Sequence, residues 1–468
     1  MKKIRFNINP TIFSFWVLVL IHYIIGGLNK LNNQMDESIR KKQVRKAAIA
    51  SIVGTSIEWY DFFLYGTMAA LVFPQLFFPE SNSYIGILQS FTTLFIGFLA
   101  RPIGAIIFGN YGDRIGRKAT LVTTLLLMGI SSTIIGLLPT YENIGIFASV
   151  LLVLLRFVQG IGVGGEWGGS VVLSIEWSSK KHRGLMGSMT QLGVPIGLLV
   201  STAAVSLSIF FTGDSFESWG WRIPFLISIL LVGVGLWIRL GIEESPQFSK
   251  MKEENLVAKQ PVLEVIKEHP KTIMLAAFSR LAEQVPFYIF TAFIISYGTE
   301  QINLDKQFLT NAVLLVAVVY LLVVPLSAHL SDKIGRKKIY IIGSSITLIF
   351  ALPYFYLFNT GEPSLIILAI AISGIGPGMV YGPQAALIAE NFPLHLRYSG
   401  SSIAYQLASI IGGGIAPMIS LFLLHEFGST TSISLYIILC CIIAIISVSQ
   451  FKGAGQMQQD IHKANRII

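Results

Sequence analysis

Three pairs of polar residues stand inside stretches that are otherwise apolar. Glu58 and Asp61 are three residues apart, as are Arg156 and Gln159, and Arg280 and Glu283. In a helix, residues at i and i+3 share one face, so each pair points in one direction. Counting helical rise from the start of each apolar run puts Glu58 and Asp61 about 16–21 Å deep, Arg156 about 18 Å and Arg280 about 14 Å. A charge at such depth in a bilayer is costly unless it is paired, protonated or facing a ligand, so these residues are functional candidates by default. Carboxylates there can carry protons. Arginine there can hold an anion, because its planar fork donates two parallel hydrogen bonds to a carboxylate. A plainer reading also fits: Glu58 or Asp61 could pair with Arg156 and simply tie two helices together. Tyr288, Tyr381, Gln384, Tyr405 and Gln406 add hydroxyl and amide groups suited to a hydroxylated substrate, or to ordinary interhelical hydrogen bonds. Pro377 and Pro383 beside two of them, and Gly412–Gly414 beside two others, mark interrupted spans of the kind that line midplane binding sites.

Other chemistry is excluded. No nucleophile–base set and no metal-ligand spacing occurs, so neither an enzyme nor a metal site is expected, and no cofactor beyond a coupling proton. Cys440 and Cys441 are adjacent in an apolar run and offer no disulfide framework. Gly160, Gly162 and Gly165 match a dinucleotide-binding pattern, but no strand precedes them. Gly160, Gly164 and Gly168 instead form a flat i, i+4, i+8 stripe that admits a neighbouring helix. Glu166 lies nearer the membrane surface, where gating and packing are equally open, and Arg101 reads as a side chain snorkelling to that surface. Gly193–Gly197, with Pro195, reads as a kink.

The elements that must position these residues are membrane spans. Of 468 residues, 53% are hydrophobic and 13% charged, with a mean hydropathy of +0.67. That charge fraction is about half of a soluble chain's. At about 20 apolar residues per crossing, the length accommodates twelve spans with short loops. The pattern places them near 47–73, 84–109, 119–138, 145–175, 184–211, 222–241, 271–298, 308–330, 339–358, 364–389, 398–424 and 431–450. Lys and Arg crowd into 40–46, 114–118, 180–183, 239–271 and 333–338, while the alternate loops carry almost none apart from Lys306. This is positive-inside sorting, so the formal +9 charge marks orientation and not nucleic-acid binding. It puts both ends of the twelve-span body in the cytoplasm of a cell's inner membrane, with lipid as the surrounding partner. Residues 1–34, basic then apolar over 11–28, form an appendage outside this scheme. The expected organisation is a bundle over 35–241, a cytoplasmic linker over 242–270 with a short amphipathic helix near Val262–His269, a second bundle over 271–450 and a tail over 451–468.

The two bundles are copies. Gly109–Lys118 reads GNYGDRIGRK, and 328–338 reads AHLSDKIGRKK. Asp113, Gly116 and Arg117 recur as Asp332, Gly335 and Arg336, each 219 residues on, the signature of an internal repeat. A second repeated set follows: Glu176 precedes Arg183, and Glu390 precedes Arg397, each by seven residues. These eight charges can close an inner gate by pairing across the loops.

The loop pattern resembles that between helices 2 and 3 of the major facilitator superfamily, echoed between helices 8 and 9. Together with EWYDFFLYG from Glu58, RPIGAIIFGNYGDRIGRK from Arg101, RFVQGIGVGGEWGG from Arg156 and SWGWRIPF from Ser218, it resembles the metabolite:proton symporter family over about 40–450. RYSGSSIAYQLASIIGGG from Arg397 is similar to the shikimate branch. The resemblance implies a twelve-helix, two-bundle, all-α membrane protein that imports a small organic acid by proton symport and functions as a monomer. A proline or betaine symporter is the rival within transport, weakened by the lack of a long heptad tail after Phe451. A sensor that has lost transport is the rival of another class, and the retained buried charges weigh against it.

Overall fold

Apolar length, more than amphipathic period, shapes this chain, as expected where lipid covers one side of every helix and protein the other. The computed structural model describes residues 37–80 and 83–451. The 1–34 appendage, its apolar run and the tail beyond Phe451 lie outside the described residues. Among the described residues the regular elements are all helical, and nine rods are long and apolar enough to cross a membrane. Glu37–Leu71, Ser83–Arg114 and the broken rod Pro270–Glu300 bring the spans to twelve.

In chain order the spans are α1 (Glu37–Leu71), α2 (Ser83–Arg114), α3 (Arg117–Leu137), α4 (Ile146–Trp177), α5 (Arg183–Gln191 continued by Gly193–Thr212) and α6 (Arg222–Leu240). The second half follows with α7 (Pro270–Ser279, Leu281–Tyr288, a π-helical turn at Ile289–Phe293, then Ile294–Glu300), α8 (Lys306–Ile334) and α9 (Arg336–Phe358). It ends with α10 (Pro363–Ser373 and Ile375–Glu390), α11 (Arg397–Ala408, a π-helical turn at Ser409–Gly414, then Ala416–Phe427) and α12 (Thr430–Ser449). The linker holds two short helices, Pro246–Glu253 and Pro261–Glu268, each opened by a proline whose fixed φ suits a first turn. The α5 break falls at Leu192, just before the glycine–proline run.

Both repeat loops turn on a glycine with positive φ, +131° at Gly116 and +104° at Gly335, a region costly for any side chain. The glycine stripe on α4 splits between two neighbours. A Cβ on Gly160 would lie 2.3 Å from the Gly97 carbonyl oxygen, and one on Gly164 2.0 Å from that of Arg101, so α2 lies nearly backbone to backbone on α4. A Cβ on Gly168 would instead lie 1.9 Å from Ser402 Oγ on α11, in the opposite half. The halves meet through α2 and α4 against α11, and α5 against α8 and α10. Large apolar side chains such as Phe210, Phe211, Trp237, Ile349 and Tyr356 stay exposed in the bare chain, a surface only lipid would cover.

Candidate functional site

In the first half, α1 buries Glu58 at 4% and Asp61 at 2% exposure. Their shared face looks into a small cavity also lined by Phe62, Gly97, Arg101, Arg156 and Gln159. Ser228 on α6 donates to Asp61 Oδ1 at 2.9 Å, while Asp61 Oδ2 and Glu58 Oε2 have no hydrogen-bond partner among the described residues. Arg156 reaches this cavity because α2 offers Gly97: a Cβ there would come within 2.7 Å of the arginine Nε. Its Nη1 donates to Gln159 Oε1 at 2.7 Å, Gln159 Nε2 donates to Ser132 Oγ at 2.5 Å, and the guanidinium lies 4.3 Å from the Tyr65 ring centre. The expected ion pair from Arg156 to Glu58 or Asp61 is absent among the described residues. Gln159, one turn along the same face, takes the place a carboxylate was expected to fill.

Arg101 departs from its reading as a snorkelling side chain. It is 3% exposed and turned inward, its guanidinium 4.3 Å from the Phe98 ring centre and 5.1 Å from that of Phe62. Two aromatic faces give the cation a better berth inside than the lipid surface offers. Glu166 is a packing residue here. It pairs with Arg239 at the end of α6, and accepts from Thr124 Oγ1 at 2.8 Å and Ser170 Oγ at 3.0 Å. Arg239 also donates to the Leu121 carbonyl.

In the second half, Arg280 occupies the break in α7. Its Nε donates to Gln384 Oε1 at 3.2 Å, its Nη1 to the Tyr405 carbonyl at 2.7 Å and to Ser409 Oγ at 3.1 Å, and its Nη2 faces Glu283 Oε2 at 3.5 Å. The Tyr405 ring centre lies 3.4 Å from the guanidinium carbon, and the Tyr381 and Tyr405 hydroxyls are 3.4 Å apart. Gln384 Nε2 also donates to Tyr340 at 3.2 Å. The predicted Arg280, Glu283, Tyr381, Gln384 and Tyr405 therefore form one cluster. Tyr288 is two turns further along α7, its hydroxyl unpartnered and its ring centre 6.4 Å from that of Phe98 on α2. Gln406 turns away from this group and its Nε2 reaches the Gly164 carbonyl on α4 at 3.5 Å.

Composition gave no warning that the two halves also meet through a ring stack. Trp167 on α4 stacks on Tyr405 at 3.7 Å, and its Nε1 donates to Gln191 Oε1 at 2.8 Å. Gln191 Nε2 in turn donates to the Tyr381 carbonyl at 3.2 Å. Trp167 sits one residue after Glu166 inside the glycine run, where its spacing resembles simple packing.

At the face carrying the repeat loops, Asp113 accepts from the backbone N–H groups of Tyr398 at 3.3 Å and Ser399 at 2.9 Å, the first turn of α11. Asp332 accepts from those of Gly184 at 2.8 Å and Leu185 at 2.9 Å, the first turn of α5. Arg117 pairs with Asp113 at 3.3 Å and Glu176 at 3.2 Å; Arg336 pairs with Asp332 at 3.4 Å and Glu390 at 3.0 Å. Glu176 and Arg183 do not pair with each other: Arg183 crosses to Glu390 at 3.7 Å. Arg397 donates to the Ala389 carbonyl at 3.0 Å and makes no ion pair among the described residues.

The family model described as Major Facilitator Superfamily matches residues 52–417. A shikimate transporter of Escherichia coli (strain K12) is 40% identical over 430 residues, covering 91% of this chain and 98% of the relative. The inner membrane metabolite transport protein YhjE of the same organism is 41% identical, covering 82% of this chain and 88% of its own length. A putative proline/betaine transporter of Staphylococcus aureus (strain COL) is 32% identical, with 90% of each chain covered. Among solved structures, the proton:xylose symporter XylE bound to 6-bromo-6-deoxy-D-glucose superposes with a TM-score of 0.70 at 16% identity, covering 87% of this chain and 95% of that one. At that identity the likeness is one of fold.

Proposed function

We propose a function on one premise: this chain belongs to the Major Facilitator Superfamily. It is a multi-pass membrane transporter and not an enzyme. Within that class we read it as a proton-coupled symporter that imports a small organic acid, shikimate or a similar hydroxylated carboxylate, by alternating access. The observation that carries this reading is the pattern of buried charge. Two carboxylates with unpartnered oxygens share a cavity with Arg101 and Arg156 in one half, and Arg280, beside Glu283, is ringed by tyrosine and glutamine in the other. The 40% identity to a shikimate transporter supports the substrate class.

In this mechanism Arg280 binds the substrate carboxylate, Glu283 holds the guanidinium, and Tyr381, Gln384 and Tyr405 meet substrate hydroxyls. A proton on Glu58 or Asp61 removes a costly buried charge and accompanies the anion inward. The repeat-loop face is cytoplasmic, and its charge network holds the inner gate shut. The chain acts as a monomer, with the proton as its coupling ion. A compatible-solute symporter is the second reading, favoured by the proline/betaine relatives at 32% identity. Uptake of radiolabelled shikimate, related acids, proline and betaine into proteoliposomes, with and without an imposed proton gradient, decides between them. Gradient-driven accumulation of an acid is expected; accumulation of the zwitterions alone overturns the organic-acid reading.

A further inference from the structure

We propose that Arg101 is a second ligand of the substrate's carboxylate, contributed by the N-terminal half and resting on the organic-acid reading above. The other membrane-embedded arginines have protein acceptors. Arg156 donates to Gln159, Arg239 pairs with Glu166, Arg222 donates to the Gly136 and Leu138 carbonyls, and Arg280 has the four contacts described. Arg101 donates no hydrogen bond and has no carboxylate within ion-pair distance among the described residues, although it is 97% buried and lines the α1–α2–α4 cavity. A buried cation whose donors are all idle is expensive.

The rings of Phe98 and Phe62 offset part of that cost through cation–π attraction. Neither ring accepts a conventional N–H···O bond, and the guanidinium's N–H donors lie in its plane, at its edge. With no protein acceptor on its donors, that edge fits a carboxylate through two parallel bonds. The location suits a shared ligand, because Phe98 touches Tyr288 of the opposite half, whose hydroxyl is unpartnered and which lies on the same helix as Arg280. An anion at Arg101 therefore lies at the seam between halves, beside a hydroxyl that can bind its oxygen.

Binding of radiolabelled shikimate to the purified full chain in nanodiscs, competed by unlabelled shikimate and by its uncharged methyl ester, tests the assignment. Wild type is expected to prefer the acid. Arg101→Gln should weaken the acid about tenfold to a hundredfold, the worth of charge-assisted hydrogen bonds, and leave the ester's affinity unchanged. Arg101→Lys, which keeps the charge without the fork, should fall between and carries the test if Arg101→Gln does not fold. Unchanged acid binding in the variants overturns the proposal, even if proton coupling is lost, since Arg101 would then serve Glu58 or Asp61. Equal weakening of acid and ester also overturns it, because that is the mark of a packing role. A wild type that binds no acid brings down the organic-acid reading itself, and this assignment with it, whereas an acid-binding wild type with indifferent variants removes only Arg101.

Discussion

Asp113 caps the first turn of α11 and Asp332 caps the first turn of α5, so each repeat aspartate serves as an N-cap for a helix of the opposite half. In both cases the accepted N–H groups belong to the second and third residues of the helix, the donors that a helix cannot satisfy for itself. The aspartate's charge also meets the positive end of the helix dipole.

Removing one such cap should open this face. An N-cap is worth about 0.5–2 kcal/mol, and states of an alternating-access cycle differ by only a few kcal/mol. Asp113→Ala should therefore raise several-fold the rate at which a cysteine at Ser402, against Gly168, reacts with a thiol reagent, in a background lacking Cys440 and Cys441, and Asp113→Asn, which keeps one accepting oxygen, should do so less. Net uptake should slow. Unchanged labelling with full uptake would show that the cap does not hold the gate.

Glu58→Gln and Asp61→Asn keep side-chain shape but fix the neutral form. If either carboxylate carries the coupling proton, its variant should exchange substrate in counterflow yet fail to accumulate it under an imposed pH gradient. Loss of both activities points to folding or binding. Full accumulation by both variants moves the proton site elsewhere, with Glu283 first in line, since Glu166 is committed to Arg239.

Arg280→Lys should weaken substrate binding by more than its retained charge predicts. The native side chain is spread over Gln384, the Tyr405 carbonyl, Ser409 and Glu283, and an ammonium has neither the reach nor the planar fork for all four. A loss of about 1.5–3 kcal/mol, roughly tenfold to a hundredfold in Kd, is expected by titration. Unaltered affinity would make Arg280 a brace for α7, α10 and α11 and not a ligand.

Glu166→Gln leaves Arg239 charged, buried and facing an amide. Breaking one side of a buried pair costs about 3–5 kcal/mol, whereas replacing both partners with apolar residues is often neutral. The single variant should lower the apparent Tm in detergent clearly, and Glu166→Met with Arg239→Met should recover most of it. A single variant as stable as wild type would refute the packing role.

What the sequence made legible was depth, face and repetition. The i, i+3 spacing put Arg280 beside Glu283, and an offset of 219 residues tied Asp113 to Asp332. Identity of the neighbour was not legible. Arg156 has two carboxylates across its cavity yet bonds to Gln159, because α2 and α4 approach so closely at Gly97 and Gly160 that the side chain is steered over Gly97. Arg239 falls at the end of the span expected over 222–241 and opens the basic stretch 239–271, and nothing in the sequence showed that it would turn inward to Glu166. Arg101 fell to the same ambiguity near a span's end, where a basic side chain can turn outward to lipid headgroups or inward to aromatic rings. Trp167 carried no signal beyond its place in a glycine run, since stacking depends on a tyrosine 238 positions away.

The carboxylate pair and the Arg280 cluster occupy different halves of a duplicated chain, while the aspartate caps were kept in both. Duplication thus kept the aspartate caps in register, while the pairing of Arg183 and Arg397 and the interior diverged. If the Arg280 cluster recognises cargo and the carboxylates carry the proton, substitutions on α7, α10 and α11 can exchange one acid for another without touching α1, while Arg101 stays beside the proton carriers. A lineage of such chains could acquire new cargoes while inheriting one unchanged engine.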